Sequence, residues 1–94
     1  MPAAARIGDR DLAHCTGMVR AQGSQNVMVN GRGWSRQGDA NTSHLLPGDP
    51  CLPHSAPITR GSATVRVNGR PAGRLGDPTC TAVAEGSPNV FAGG

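Results

Sequence analysis

A chain of 94 residues with one Trp, one Phe, no Tyr, 14 Gly and 8 Pro makes a single domain with a thin core, rich in turns and short strands and without long helices. Its net charge of +3 is carried by scattered Arg without Lys or interleaved aromatics, which argues against nucleic acid as a partner. No stretch approaches the roughly 20 apolar residues of a membrane helix, and Met1-Pro2-Ala3-Ala4-Ala5-Arg6 lacks the apolar run of a secretory signal, so synthesis in a reducing cytosol is expected.

In chain order, the first predicted element is a short strand through Ala5-Arg6-Ile7-Gly8-Asp9, followed by a loop holding His14 and Cys15. Next comes Gly23-Ser24-Gln25-Asn26-Val27-Met28-Val29-Asn30-Gly31. Here Val27 and Val29 alternate with other residues, the period of a half-buried strand. Asn30-Gly31 is a turn signal that tolerates positive φ at both central positions, and a strand pair is predicted to end there. The pattern restarts at Ser35-Arg36-Gln37-Gly38-Asp39, runs through a longer loop with His44, Cys51 and His54, and reaches Gly61-Ser62-Ala63-Thr64-Val65-Arg66-Val67-Asn68-Gly69. A third start, Gly73-Arg74-Leu75-Gly76-Asp77, leads through a loop with Cys80 to Gly86-Ser87-Pro88-Asn89-Val90-Phe91-Ala92-Gly93-Gly94. Residues 10–18 and 79–85 have room for one helical turn each.

The same two phrases are therefore used in three successive units. Small β units of this size cannot bury their own apolar face and must stack on one another. Three of them predict a pseudo-threefold shape whose three loops converge at one end. Arg6, Arg36 and Arg74 recur at one repeat position, which points to a structural role, pairing with a neighbouring Asp. The recurrent Asp9, Asp39 and Asp77 read as hydrogen-bond acceptors for turn amides.

Every His and Cys of the chain lies in one of the three loops. Zinc takes four imidazole or thiolate ligands in a tetrahedron, and a closed site of that kind adds folding free energy to a thin-cored domain. In a reducing compartment, metal is favoured over a disulfide as the staple. His14 and His44 hold equivalent places after Asp9 and Asp39, Cys80 lies close to that place after Asp77, and His54 ends the long second loop. The favoured metal set is His14, His44, His54 and Cys80, with Cys51 as the alternative ligand that would displace His44. Cys15 adjoins His14 and reads as a small buried apolar residue. The recurrent Ser24, Ser62 and Ser87 read as turn residues rather than nucleophiles. Glu85 is the only Glu, so no general base stands beside an open metal position. The chain is therefore read as a non-enzyme, with a small zinc-dependent hydrolase effector as the alternative of another class.

Pro2-Ala3-Ala4-Ala5-Arg6-Ile7-Gly8-Asp9 and Pro71-Ala72-Gly73-Arg74-Leu75-Gly76-Asp77 resemble the Pro-Ala-Ala-Arg motif of the PAAR-repeat family. The Gly-Ser-X-X-Val-X-Val-Asn-Gly phrases are similar to that family's repeats, and the resemblance covers essentially the whole chain. Gly73 replaces an Ala of the motif, and the second copy reads Gly33-Trp34-Ser35-Arg36. The resemblance implies an all-β cone of three pseudo-threefold repeats, with structural zinc bound near its apex by three His and one Cys; His14, His44, His54 and Cys80 fit that set. It implies a structural tip that caps the trimeric β-helical spike (VgrG-type) of a type VI secretion system, sharpens it for puncture of a target membrane, and links effector toxins to it. The alternative is the tip of a contractile phage or pyocin-like tail spike. A three-edged spike end invites strand addition, and the strands carrying Val27, Val65 and Val90 are the expected contact. Such a protein is made in the bacterial cytoplasm without a signal peptide, assembled on the spike, and delivered outside the cell or into a target cell. Residues 1–94 read as one PAAR-repeat domain with no appended effector domain.

Overall fold

The computed structural model describes residues 1–46, 48 and 52–94. Among these there is no helix, and six strands of two or three residues form three antiparallel pairs. β1 (Met28–Val29) pairs with β2 (Arg32–Gly33), β3 (His44–Leu46) with β4 (Leu52–His54), and β5 (Arg66–Val67) with β6 (Arg70–Pro71). The Asn-Gly steps close the first and third of these hairpins: φ is 54° at Asn30 and Asn68 and 78° at Gly31 and Gly69. Positive φ at both central residues is what a two-residue hairpin needs to match strand twist. The strands thus flank Asn-Gly, whereas the sequence pattern placed a strand pair before it.

The Arg-X-Gly-Asp phrases are turns, not the strands expected from sequence. Gly8, Gly38 and Gly76 sit at φ of 93°, 92° and 87°, a conformation that breaks extended backbone and favours Gly. The amides of Asp9, Asp39 and Asp77 donate across each turn to the carbonyls of Arg6, Arg36 and Arg74 at 2.9, 2.9 and 3.0 Å. The Asp side chains then close the turn from outside. Each accepts the Arg backbone amide at 2.7–2.8 Å and pairs with the same Arg's guanidinium at 2.8–2.9 Å. Asp9 and Asp39 also take a second Arg, Arg32 at 3.3 Å and Arg70 at 3.4 Å. The repeated Arg and Asp therefore serve one another, as their recurrence suggested.

Among the described residues, the third repeat has no Asn-Gly and its return strand is not the next segment of chain. The chain's beginning supplies it. Ala4 donates to the Val90 carbonyl at 2.8 Å and Ala92 to the Pro2 carbonyl at 3.0 Å. The first of these bonds matches Trp34 to Val27 at 3.0 Å in the first repeat and Ala72 to Val65 at 2.9 Å in the second. Three equivalent hairpins result, two continuous and one assembled from both ends of the chain.

The repeats meet in a closed triangle of backbone hydrogen bonds: Ala5 donates to Gly73, Gly73 to Ser35, and Ser35 to Ala5, at 3.0, 2.8 and 2.9 Å. On the hairpin side lies the main core, with Val29, Val67 and Ala92 in one equivalent position and Trp34, Ala72 and Ala4 in another. Trp34 is the only large side chain among them, and its indole N–H is satisfied by the Gly73 carbonyl at 2.9 Å. Ser24, Ser62 and Ser87 are buried turn caps, each accepting the amide three residues on at 2.8–3.0 Å. A second apolar cluster, Ala5, Ile58 and Val83, leads from the triangle toward the loops. The body measures 40 × 23 × 23 Å, and its two equal short dimensions suit a rotational repeat about the long one.

Candidate metal centre

Each loop leaves and returns through the same pair of hydrogen bonds. Gly8, Gly38 and Gly76 donate to the carbonyls of Arg20, Ile58 and Val83 at 2.8–2.9 Å, and those three residues donate back to Asp9, Asp39 and Asp77 at 2.8–3.1 Å. Three loops rooted alike must project from the same end. The extra length of the second is the β3–β4 hairpin, whose register sets His44 directly opposite His54. The first loop is tied to β3 by Cys15 N–H to the Leu45 carbonyl at 3.3 Å and Leu45 N–H to Thr16 Oγ1 at 2.9 Å. It is tied to the third loop by Leu12 N–H to the Ala82 carbonyl and Thr81 Oγ1 to the Leu12 carbonyl, at 2.9 and 2.7 Å.

This convergence brings His14, His44, His54 and Cys80 together, with one donor atom from each lying within 4.8 Å of the others. His44 Nε2 is 3.4 Å from Cys80 Sγ. Two ligands on one tetrahedral zinc, at the usual Zn–N and Zn–S distances, stand about 3.3–3.6 Å apart. The His rings crowd at centroid distances of 4.3–5.4 Å. His44 Nδ1 lies 2.8 Å from the Thr42 carbonyl, to which it donates, so the Nε2 lone pair faces the cluster. His14 Nε2 and His54 Nε2 are buried with no hydrogen-bond partner. Buried polar atoms left unpaired cost free energy, and a cation among them would satisfy both. Desolvation, then the neighbouring His44 and His14, push the His54 pKa below its ordinary value and favour the neutral, ligating imidazole. Cys80 is a free thiol, half-buried. Three imidazole nitrogens and one sulfur fit a closed tetrahedral metal site, and they suit zinc.

The other sequence expectations fare differently. Cys51, the alternative ligand, lies outside the described residues. Cys15 is exposed and disulfide-bonded, not a small buried apolar residue, because its loop turns outward beside β3. Residues 10–18 and 79–85 form bends and bridges with no helical turn. Val27, Val65 and Val90 occupy one equivalent position per repeat, half-buried against the main core. Sequence reading missed three buried polar residues beside Cys80: Asp11, Arg20 and Asn41. The available signal was positional, since Arg20 stands where the other repeats carry Ile58 and Val83.

A small all-β domain of three repeats with a His3Cys cluster at the loop end is the class that fold and site define. The family model described as PAAR motif matches residues 47–94, and the chain belongs to that family. A search among curated proteins finds no match.

Proposed function

We propose that this protein is the tip of a contractile injection machine, capping the trimeric VgrG-type spike of a type VI secretion system. The observation that carries the reading is the hairpin end, where one chain offers three equivalent hairpins around the closed Ala5–Ser35–Gly73 triangle. A threefold partner presents three equal edges, and a single chain with three equal contacts covers them all at once. Val27, Val65 and Val90 give each contact an apolar side chain that is still partly accessible. The loop end then points away from the spike toward the membrane to be pierced.

Zinc is the metal we assign to His14, His44, His54 and Cys80. When bound it cross-links all three loops at the end that meets resistance. The chain's own residues supply the rest: the Thr42 carbonyl holds the His44 ring in its tautomer, and the β3–β4 register keeps His44 and His54 facing one another. The role is mechanical rather than catalytic. Effector toxins would travel with the tip by binding it or the spike, and the chain would leave the cytoplasm where it is made only as part of that assembly.

The test is binding of zinc-loaded protein to a purified trimeric spike, read by native mass. One chain per trimer is expected. No complex, or three chains per trimer, would sink the capping geometry.

A further inference from the structure

Arg20 departs from the pseudo-threefold pattern of the described inner layer at the position that carries Ile58 and Val83 in the other repeats. Its carbonyl accepts from Gly8 as that of Ile58 does from Gly38 and that of Val83 from Gly76, yet its side chain is charged where theirs are aliphatic. It is 0% exposed, and its partner Asp11, 3.0 Å away, is 4% exposed. Burial pulls the Arg20 guanidinium below its ordinary pKa despite Asp11. An ion pair this deep stabilises a fold little compared with apolar packing. This one is also incomplete, because Arg20 Nε and Asp11 Oδ1 have no partner. Fold stability alone does not explain why one repeat of three carries it.

Its contacts do. Arg20 Nη1 donates to the Asp39 carbonyl at 3.1 Å and Nη2 to the Ala56 carbonyl at 3.3 Å. Asn41 Nδ2 donates to Asp11 Oδ2 at 3.0 Å and also faces Met18 Sδ at 3.4 Å and Cys80 Sγ at 3.8 Å. The Asn41 amide cannot turn over, because its Oδ1 accepts Ala56 N–H at 2.8 Å. Asn41 N–H in turn donates to the Ala56 carbonyl at 3.0 Å. Asn41 leads into β3 and His44, and Ala56 follows β4 and His54. The network therefore grips both feet of the hairpin that bears two of the His residues, and its second Asn41 N–H is shared between Met18 Sδ and the Cys80 sulfur.

We infer that Asp11, Arg20 and Asn41 form the outer shell of the metal centre: they are positioning residues that hold the β3–β4 feet and temper the Cys80 thiolate as a donor. This inference rests on the metal reading of the four-residue site. Partners that orient metal ligands are worth 10–100-fold in metal affinity, and an N–H directed at a thiolate withdraws electron density from its sulfur.

Cobalt(II) absorption separates the two claims. If the parent protein shows no thiolate-to-cobalt charge-transfer band, the metal reading itself fails. Given that band, Asn41→Leu and the double variant Asp11→Leu/Arg20→Leu should shift it to longer wavelength and weaken zinc binding about 10–100-fold in chelator competition. Ile58→Ala, which cuts the equivalent side chain of the second repeat, should lower the melting temperature and leave the band in place. Variants that keep the parent band and bind zinc within about twofold of it overturn the inference. A variant that stays unfolded in excess zinc also counts against it, because the network would then belong to the fold.

Discussion

Replacing Asp9 with Ala tests whether the repeated Arg-Asp turns hold the domain together. The Asp9 carboxylate accepts Arg6 N–H at 2.8 Å, Arg6 Nε at 2.9 Å and Arg6 Nη2 at 2.8 Å, and it reaches Arg32 at 3.3 Å. The Arg6 and Asp9 side chains are 9% and 3% exposed. The hydrogen bond to Asp9 raises the Arg6 pKa against the cost of desolvation, so the guanidinium is charged and needs its counterion. Removing one member of a buried pair costs about 3–5 kcal/mol, because the other charge is left uncompensated. A domain of this size has a total stability of about 5–14 kcal/mol, and each kcal/mol shifts its melting temperature by about 4–8 °C. Asp9→Ala should therefore melt at least about 12 °C below the parent by differential scanning calorimetry in zinc. Among the described residues Asp77 pairs only with Arg74, so Asp77→Ala should cost less than Asp9→Ala. Arg6→Met/Asp9→Leu, which removes both charges, should recover part of the loss. An Asp9→Ala protein melting within about 4 °C of the parent, or an Asp77→Ala protein falling further, would refute the reasoning.

Two glycines should fail for different reasons. A Cβ at Gly73 would lie 2.4 Å from the Ser35 carbonyl oxygen on the axial triangle, so Gly73→Ala should destabilise by at least about 1–3 kcal/mol, whereas Gly31→Ala meets open space and should lose only about 1–2 kcal/mol from its positive φ; paired melts rank them. Deleting residues 1–4 removes the strand that completes the third hairpin, and the loss should appear as early exposure of Trp34 in fluorescence-detected unfolding; a deletion that melts like the parent would mean the ends do not close the fold. For pH, the folded chain holds His54 below its ordinary pKa of 6.5 and so binds fewer protons than the unfolded chain. Its stability contribution is full above about 6.5 and is lost as pH falls toward the lowered value. Protons compete with metal at the same nitrogens, so bound zinc should persist below the interval in which the metal-free chain titrates and be released as pH falls further, read with a chromogenic chelator against pH.

Sequence reading recovered what neighbouring residues control. Asn30-Gly31 and Asn68-Gly69 set hairpin turns because few residues tolerate positive φ twice in succession. The recurrence of Arg and Asp at fixed offsets announced their pairing because each pair lies within one turn. The placement of His and Cys in equivalent loops was enough to nominate a cluster, because loops with equivalent roots must leave the body on one side. The Arg-X-Gly-Asp phrases read as strands although their recurrent Gly8, Gly38 and Gly76 signal turns, and the turns win because apolar alternation is too weak over four residues to outweigh a Gly at positive φ.

What depends on distant residues needed the tertiary structure. Nothing local to Gly86-Ser87-Pro88-Asn89-Val90 says that its partner strand is Pro2 to Ala4, since that pairing is a ring closure between the chain's two ends. The same holds for the register of His44 against His54 and for the outward turn of Cys15. Arg20 is the sharpest case. A lone Arg in a loop reads as solvated, and only the stacking of three repeats shows that it occupies an aliphatic position and reaches Asp11, Asp39 and Ala56. Composition and repeats determined an all-β, three-unit, metal-capable chain; packing decided which polar groups were taken out of water, because burial is a property of the assembled layers and not of any one segment.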